Sequence, residues 1–169
     1  MRTVAVTILG FASFASAIGQ QGAACHKGHI DAGYKMTAMP PPKLMQGIGT
    51  TSLKITTNSP EAQAYFNQGL ALTHCFWDFE AYRAFKEAAR LDPNCGIAYW
   101  GMSLANETLN PGRAKQFAAE AARHKTGLTE REQLYIDAIG KADGYRKLQE
   151  RYPDDLEARA FEVWRVWHK

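Results

Sequence analysis

The sequence predicts an all-α fold, an α-solenoid of stacked antiparallel helix hairpins. Three observations carry this. From Ser59 onward, capping residues and apolar positions recur at helical spacing, and no strand-period run longer than a few residues competes with them. The stop signal Leu91-Asp92-Pro93-Asn94 has a second version at Arg151-Tyr152-Pro153-Asp154-Asp155. Proline removes a backbone N–H and forces the residue before it out of helical geometry, so each stop closes a unit. Finally, 169 residues, 46% apolar and 22% charged, are enough for one domain with a real core.

The first segment stands apart from that fold. Residues 1–17 carry one basic residue, Arg2, then an uncharged and mostly apolar run ending in Ala15-Ser16-Ala17. This is the pattern of a cleaved signal peptide, so the chain is expected to be periplasmic or secreted, with no stable membrane span after cleavage. Export implies an oxidising compartment. Yet the cysteines are only Cys25, Cys75 and Cys95, an odd number and no disulfide framework. Residues 18–58, with Pro40-Pro41-Pro42 and Gly47-Ile48-Gly49, keep no helical period and read as an irregular leader.

The repeat domain is expected over 59–169. Ser59-Pro60-Glu61 gives a capping hydroxyl, a first-turn proline and an acid facing the helix dipole, opening a helix over 60–75. A second is expected over 79–91 with Asp78 as its cap, and a third over 95–107. Asn110-Pro111 opens a fourth, running to about Lys125. Thr129-Glu130-Arg131-Glu132 is a capping box for a fifth. A short sixth spans about 144–152, and a seventh follows Pro153-Asp154-Asp155.

Self-similarity then sets the architecture. Tyr65-x2-Gln68-Gly69-x2-Leu72 is followed by Ala81-x3-Phe85-x2-Ala88 and Pro93. Adding 34 to Tyr65 and Gly69 gives Tyr99 and Ser103, and a weaker third unit has Tyr145 and Leu148 before Pro153. Small residues fall where two helices would cross closely, large ones beside the crossing. Over roughly 60–169 the chain resembles the tetratricopeptide-repeat family. In the stretch from Phe66 to Ala105, and in LTEREQLYIDAI and RYPDDLEARAF, it resembles secreted bacterial proteins of that family with unassigned activity. The last helix carries Phe161, Trp164, Val166 and Trp167 with nothing after it to cover them. Either they fold back, or the chain is a piece of a longer array. The second is expected, because a bare aromatic edge invites association.

The resemblance implies a non-enzymatic scaffold that holds a protein or peptide segment on a concave wall. Gln63, Phe66, Leu70 and His74 form one stripe, and Ile97, Trp100 and Leu104 the corresponding row on the next inner helix. These are the expected groove, with Phe66 and Trp100 as anchors. The alternatives are that these side chains pack between repeats, or that residues 30–58 fill the groove. A formal charge of +3 is too mild for a nucleic-acid partner.

The rival reading is a metal-binding or redox protein using Cys25, His26 and His29, a thiolate and two imidazoles within five residues. It needs a fourth ligand and a rigid frame, and the leader offers neither, so no cofactor is expected. Adjacent His74 and Cys75 point about 100° apart on a helix and form no catalytic pair. Cys75 and Cys95 fall at opposite ends of a hairpin, too far apart for a disulfide. Glu130, Glu132 and Asp137 are expected to be a solvated face with a cap. No phosphate loop, nucleophile elbow or zinc-protease motif occurs, so no enzyme is expected.

Overall fold

The structure is a computed structural model and describes residues 39–51 and 53–167. Among these residues it is all-helical, as expected, with seven helices and no strand. They are α1 (Pro60–His74), α2 (Asp78–Leu91), α3 (Gly96–Leu104), α4 (Pro111–Arg123), α5 (Glu130–Asp137), α6 (Gly144–Arg151) and α7 (Leu156–Trp167). None is long and apolar enough to cross a membrane. The segment 1–17 read as a signal peptide lies outside the described residues.

Three helix starts follow directly from their capping chemistry. Ser59 Oγ accepts the Ala62 N–H at 3.1 Å, and Asn110 Oδ1 accepts that of Arg113 at 3.1 Å. Thr129 and Glu132 form the reciprocal box. Two boundaries differ from expectation. Asp78 is not the cap of α2 but its first residue, preceded by Trp77, which makes no side-chain cap bond. The cause lies upstream: Trp77 N–H reaches back to the Leu72 carbonyl at 3.0 Å across Phe76, whose φ is +57°. That left-handed lock ends α1 abruptly and turns the chain early into α2. At the other boundary, α3 stops at Leu104 and the chain turns irregularly from there to Asn110.

Successive helices pack on one another. Phe85 of α2 lies in a slot between α1 and α3: a Cβ on Gly69 would stand 2.7 Å from its ring, and one on Gly101 2.5 Å. Ser103 Oγ donates to the Ala114 carbonyl at 2.9 Å between α3 and α4, and Gln149 Nε2 to that of Ala158 at 3.2 Å between α6 and α7. The core is a connected aromatic array. Trp100 sits at its centre, 6.5 Å from Phe66, 5.1 Å from Tyr135 and 5.4 Å from Phe161 between ring centroids. Phe161 also stacks on His74 at 5.3 Å, so α7 returns to the end of α1. The aromatics of the last helix thus fold back in part: Phe161 is buried, while Trp167 is 80% exposed.

The described residues of 39–58 contain no helix or strand, and they do not stand apart from the helices. Leu53 and Ile55 are buried, and the compact unit starts at Met39 rather than Ser59. Glu132 is correspondingly not a solvated residue. It is fully buried and accepts the Thr56 N–H at 2.7 Å and the Thr56 hydroxyl at 2.5 Å, tying the leader to α5.

Asp155 locks α5 to the start of α7. Its buried carboxylate accepts from Arg131 Nε at 2.6 Å, the Tyr135 hydroxyl at 2.8 Å and the Ala158 N–H at 3.0 Å. Burial alone would raise its pKa, but Arg131, the Ala158 amide and Tyr135 together hold it below the usual carboxylate value. A depressed folded pKa stabilises above the unfolded value, near 4, and the stabilisation disappears as pH falls through the folded one. Asp155→Asn should therefore cost about 2 kcal/mol at pH 7. Denaturant melts should show the gap to wild type closing at pH 3; an equal gap at both would mean the charge is irrelevant.

Candidate functional site

The row expected to line a groove is placed mainly in the core. Phe66, Leu70, Ile97 and Trp100 have no exposed surface, and Leu104 is buried. The expectation that Phe66 and Trp100 are partner anchors is thus corrected. The return of α7 across α1 and α3 covers them, and Phe66, Trp100 and Phe161 pack on one another. Gln63 is half-buried and bonded to the leader, and His74 is exposed at the end of α1. Tyr65, one of the large residues of the repeat pattern, donates to the Pro42 carbonyl at 2.8 Å and so faces the leader.

Cys25, His26 and His29 lie outside the described residues. Among the described residues, no group of three His, Cys, Asp or Glu side chains could hold a metal ion. Cys75 and Cys95 are both free thiols, Cys75 exposed and Cys95 buried. Burial pushes the Cys95 thiol up to about 12, which keeps it protonated and unreactive.

What the fold does create is a cleft of about 290 Å³ where the C-terminal ends of α1 and α3 meet α7. Thr73, His74 and Phe76 form one wall, Leu104 and Glu107 the floor, and Val163, Trp164 and Trp167 the opposite wall. The α7 wall continues an exposed stripe, Leu156, Ala160, Val163 and Trp167, spaced 4, 3 and 4 along one helix face. That spacing matches the seam on which a second helix packs. On the other wall Phe76 is 69% exposed although it occupies the left-handed region, where a glycine would be expected. A benzyl side chain held towards water by strained backbone is the kind of outlier that marks a contact site.

The rim is acidic. His74 Nε2 meets Glu157 Oε2 at 2.5 Å, and Asp78 Oδ2 accepts the Thr108 hydroxyl at 3.0 Å. Glu107 pairs with Arg165 at 2.6 Å, and the guanidinium lies 5.1 Å over the Trp164 ring. Burial would lower the Arg165 pKa, but Glu107 more than offsets it and Arg165 remains charged. Asp78 and Glu107 line the cleft and Glu157 reaches its edge through His74, with Glu107 paired to Arg165.

Sequence reasoning missed this cleft because its walls come from segments as far apart as residues 74 and 157. One signal was available: Phe76-Trp77, two aromatics in the three-residue connection between α1 and α2. Compared with family models, curated proteins and solved structures, the chain finds no match in any of the three.

Proposed function

We propose that this chain is an exported, non-enzymatic scaffold of tetratricopeptide type that binds a protein or peptide segment in the cell envelope. The segment is an amphipathic helix with a basic flank, received by the cleft between α1, α3 and α7. The carrying observation is Phe76, an exposed aromatic kept in left-handed backbone on the rim of an apolar cleft. The helix-spaced stripe on α7 supports a helical ligand laid against it, and the acidic rim supports a basic flank. The helix pairs, the stop signals and the signal-like segment 1–17 support the family and compartment.

The test uses an amphipathic Leu/Lys peptide of about 18 residues, five helical turns, with a Leu/Glu peptide of the same pattern as control. The Leu/Lys peptide should shift the protein's tryptophan emission and bind at least tenfold tighter than the control. Phe76→Gly relieves the strained backbone and should leave stability unchanged or raise it by up to about 1 kcal/mol. The same variant should weaken the Leu/Lys peptide about tenfold, 1.4 kcal/mol. Equal binding of both peptides, or none, retires the cleft, and so does undiminished binding to Phe76→Gly.

A further inference from the structure

The leader is held in an unusual way. Met45 N–H donates to Gln68 Oε1 at 2.7 Å, while Gln68 Nε2 donates to the Lys43 carbonyl at 3.1 Å. Ten residues on, the pattern recurs: Ile55 N–H donates to Gln63 Oε1 at 3.0 Å, and Gln63 Nε2 to the Leu53 carbonyl at 3.1 Å. Each glutamine takes the C=O of one residue and the N–H of the residue two further on. In a parallel β-sheet a single residue of the neighbouring strand makes that same pair of bonds. Each carboxamide therefore acts as one residue of a parallel strand, and because it contacts both a donor and an acceptor its orientation is fixed.

The rest of the helical face behaves alike. Tyr65 donates to the Pro42 carbonyl, and Arg83 to that of Pro40 at 2.6 Å. On the leader these groups bond only main chain, so they would accept any extended segment on the same path. Among the described residues, side-chain contacts of the leader include Leu53 and Ile55, buried two residues apart, the Thr51 hydroxyl on the Asn67 carbonyl, and Thr56 on Glu132. The described residues from Pro40 to Thr50 are mostly exposed, with Leu44 52% open.

We infer that the face presented by Gln63, Tyr65, Gln68, Arg83 and Glu132 is a binding surface for an extended peptide, and that residues 40–56 are its resident, displaceable ligand. The partner it fits is an extended segment with two apolar side chains two residues apart followed by threonine, read chiefly through its backbone. The surface is distinct from the cleft and does not depend on it. A competing segment must overcome a tethered leader whose effective concentration is on the order of millimolar.

The experiment uses the full chain and a fluorescein-labelled synthetic peptide of residues 39–58. Leu53→Ala/Ile55→Ala removes the anchors of the tethered leader and leaves the helical face intact, so the peptide should bind this variant at least tenfold tighter than wild type. Adding Gln63→Ala/Gln68→Ala should abolish that gain. Hydrogen exchange on the wild type gives an independent reading. The Met45, Ile55 and Thr56 amides should exchange through an opening that leaves the α1 and α3 amides protected. The inference is overturned if those amides exchange only with global unfolding, if the leader variant fails to fold, or if peptide binding ignores the glutamines. An anchor-depleted variant that folds yet does not bind the peptide overturns it equally.

Discussion

Trp100→Ala is expected to lower the unfolding free energy by about 3–5 kcal/mol, the range for deleting a large aromatic from a packed core. The indole has no exposed surface and touches rings from α1, α5 and α7, so the void would open where three helices meet and none could collapse into it alone. The polar interaction of the buried indole is with the Tyr145 hydroxyl and is weak, so most of the loss comes from the ring's packing. Trp100→Phe should therefore be much milder than the alanine change. Denaturant titration checks both. A loss under about 1 kcal/mol for Trp100→Ala would mean the residue is not at the centre of the core.

Gly101→Ala should destabilise by about 2 kcal/mol although alanine is the better helix former by about 1. The reason is the slot around Phe85. An added methyl at Gly101 would lie 2.5 Å from the ring, and the ring already runs so close to Gly69 that a Cβ there would lie 2.7 Å from it, which leaves it little room to withdraw. Phe85→Leu in the same chain should recover part of the loss by freeing the slot. Gly112 is the control, since a Cβ there meets nothing closer than Asn110 Oδ1 at 3.4 Å. Gly112→Ala should be neutral or slightly stabilising in the same thermal melts. Equal effects at the two sites would show that the clash is absent.

The helices were legible in the sequence because their signals are local. Ser59, Asn110 and Thr129 each satisfy an amide within three residues, and such bonds need no knowledge of the fold. The orientation of α1 was not legible. It is covered by α2 on one side and by the leader, α3 and α7 on others, so its apolar residues run nearly all round and favour no single face. Phe66 therefore could not be told from an exposed anchor. Glu132 was read as solvated because nothing local announces Thr56, 76 residues earlier. The leader's contacts were least legible of all, since Lys43, Met45 and Leu53 are held there through main-chain atoms that every sequence possesses. The cleft needs His74 beside Phe161, a juxtaposition only the folded chain supplies.

The return of α7 to α1 changes how the molecule can come apart. A linear stack of repeats touches only its neighbours and can fray from either end at small cost. Here His74 and Glu157, 83 residues apart in sequence, are joined, and Arg165 grips Glu107 across another 58. Closing so long a loop carries an entropy penalty before any contact rewards it. Once formed, peeling α7 away also uncovers Trp100, and end-fraying becomes loss of the core. The cleft lies along that seam. A segment seated in it would staple the seam from outside, making occupancy and resistance to unfolding two readings of one equilibrium.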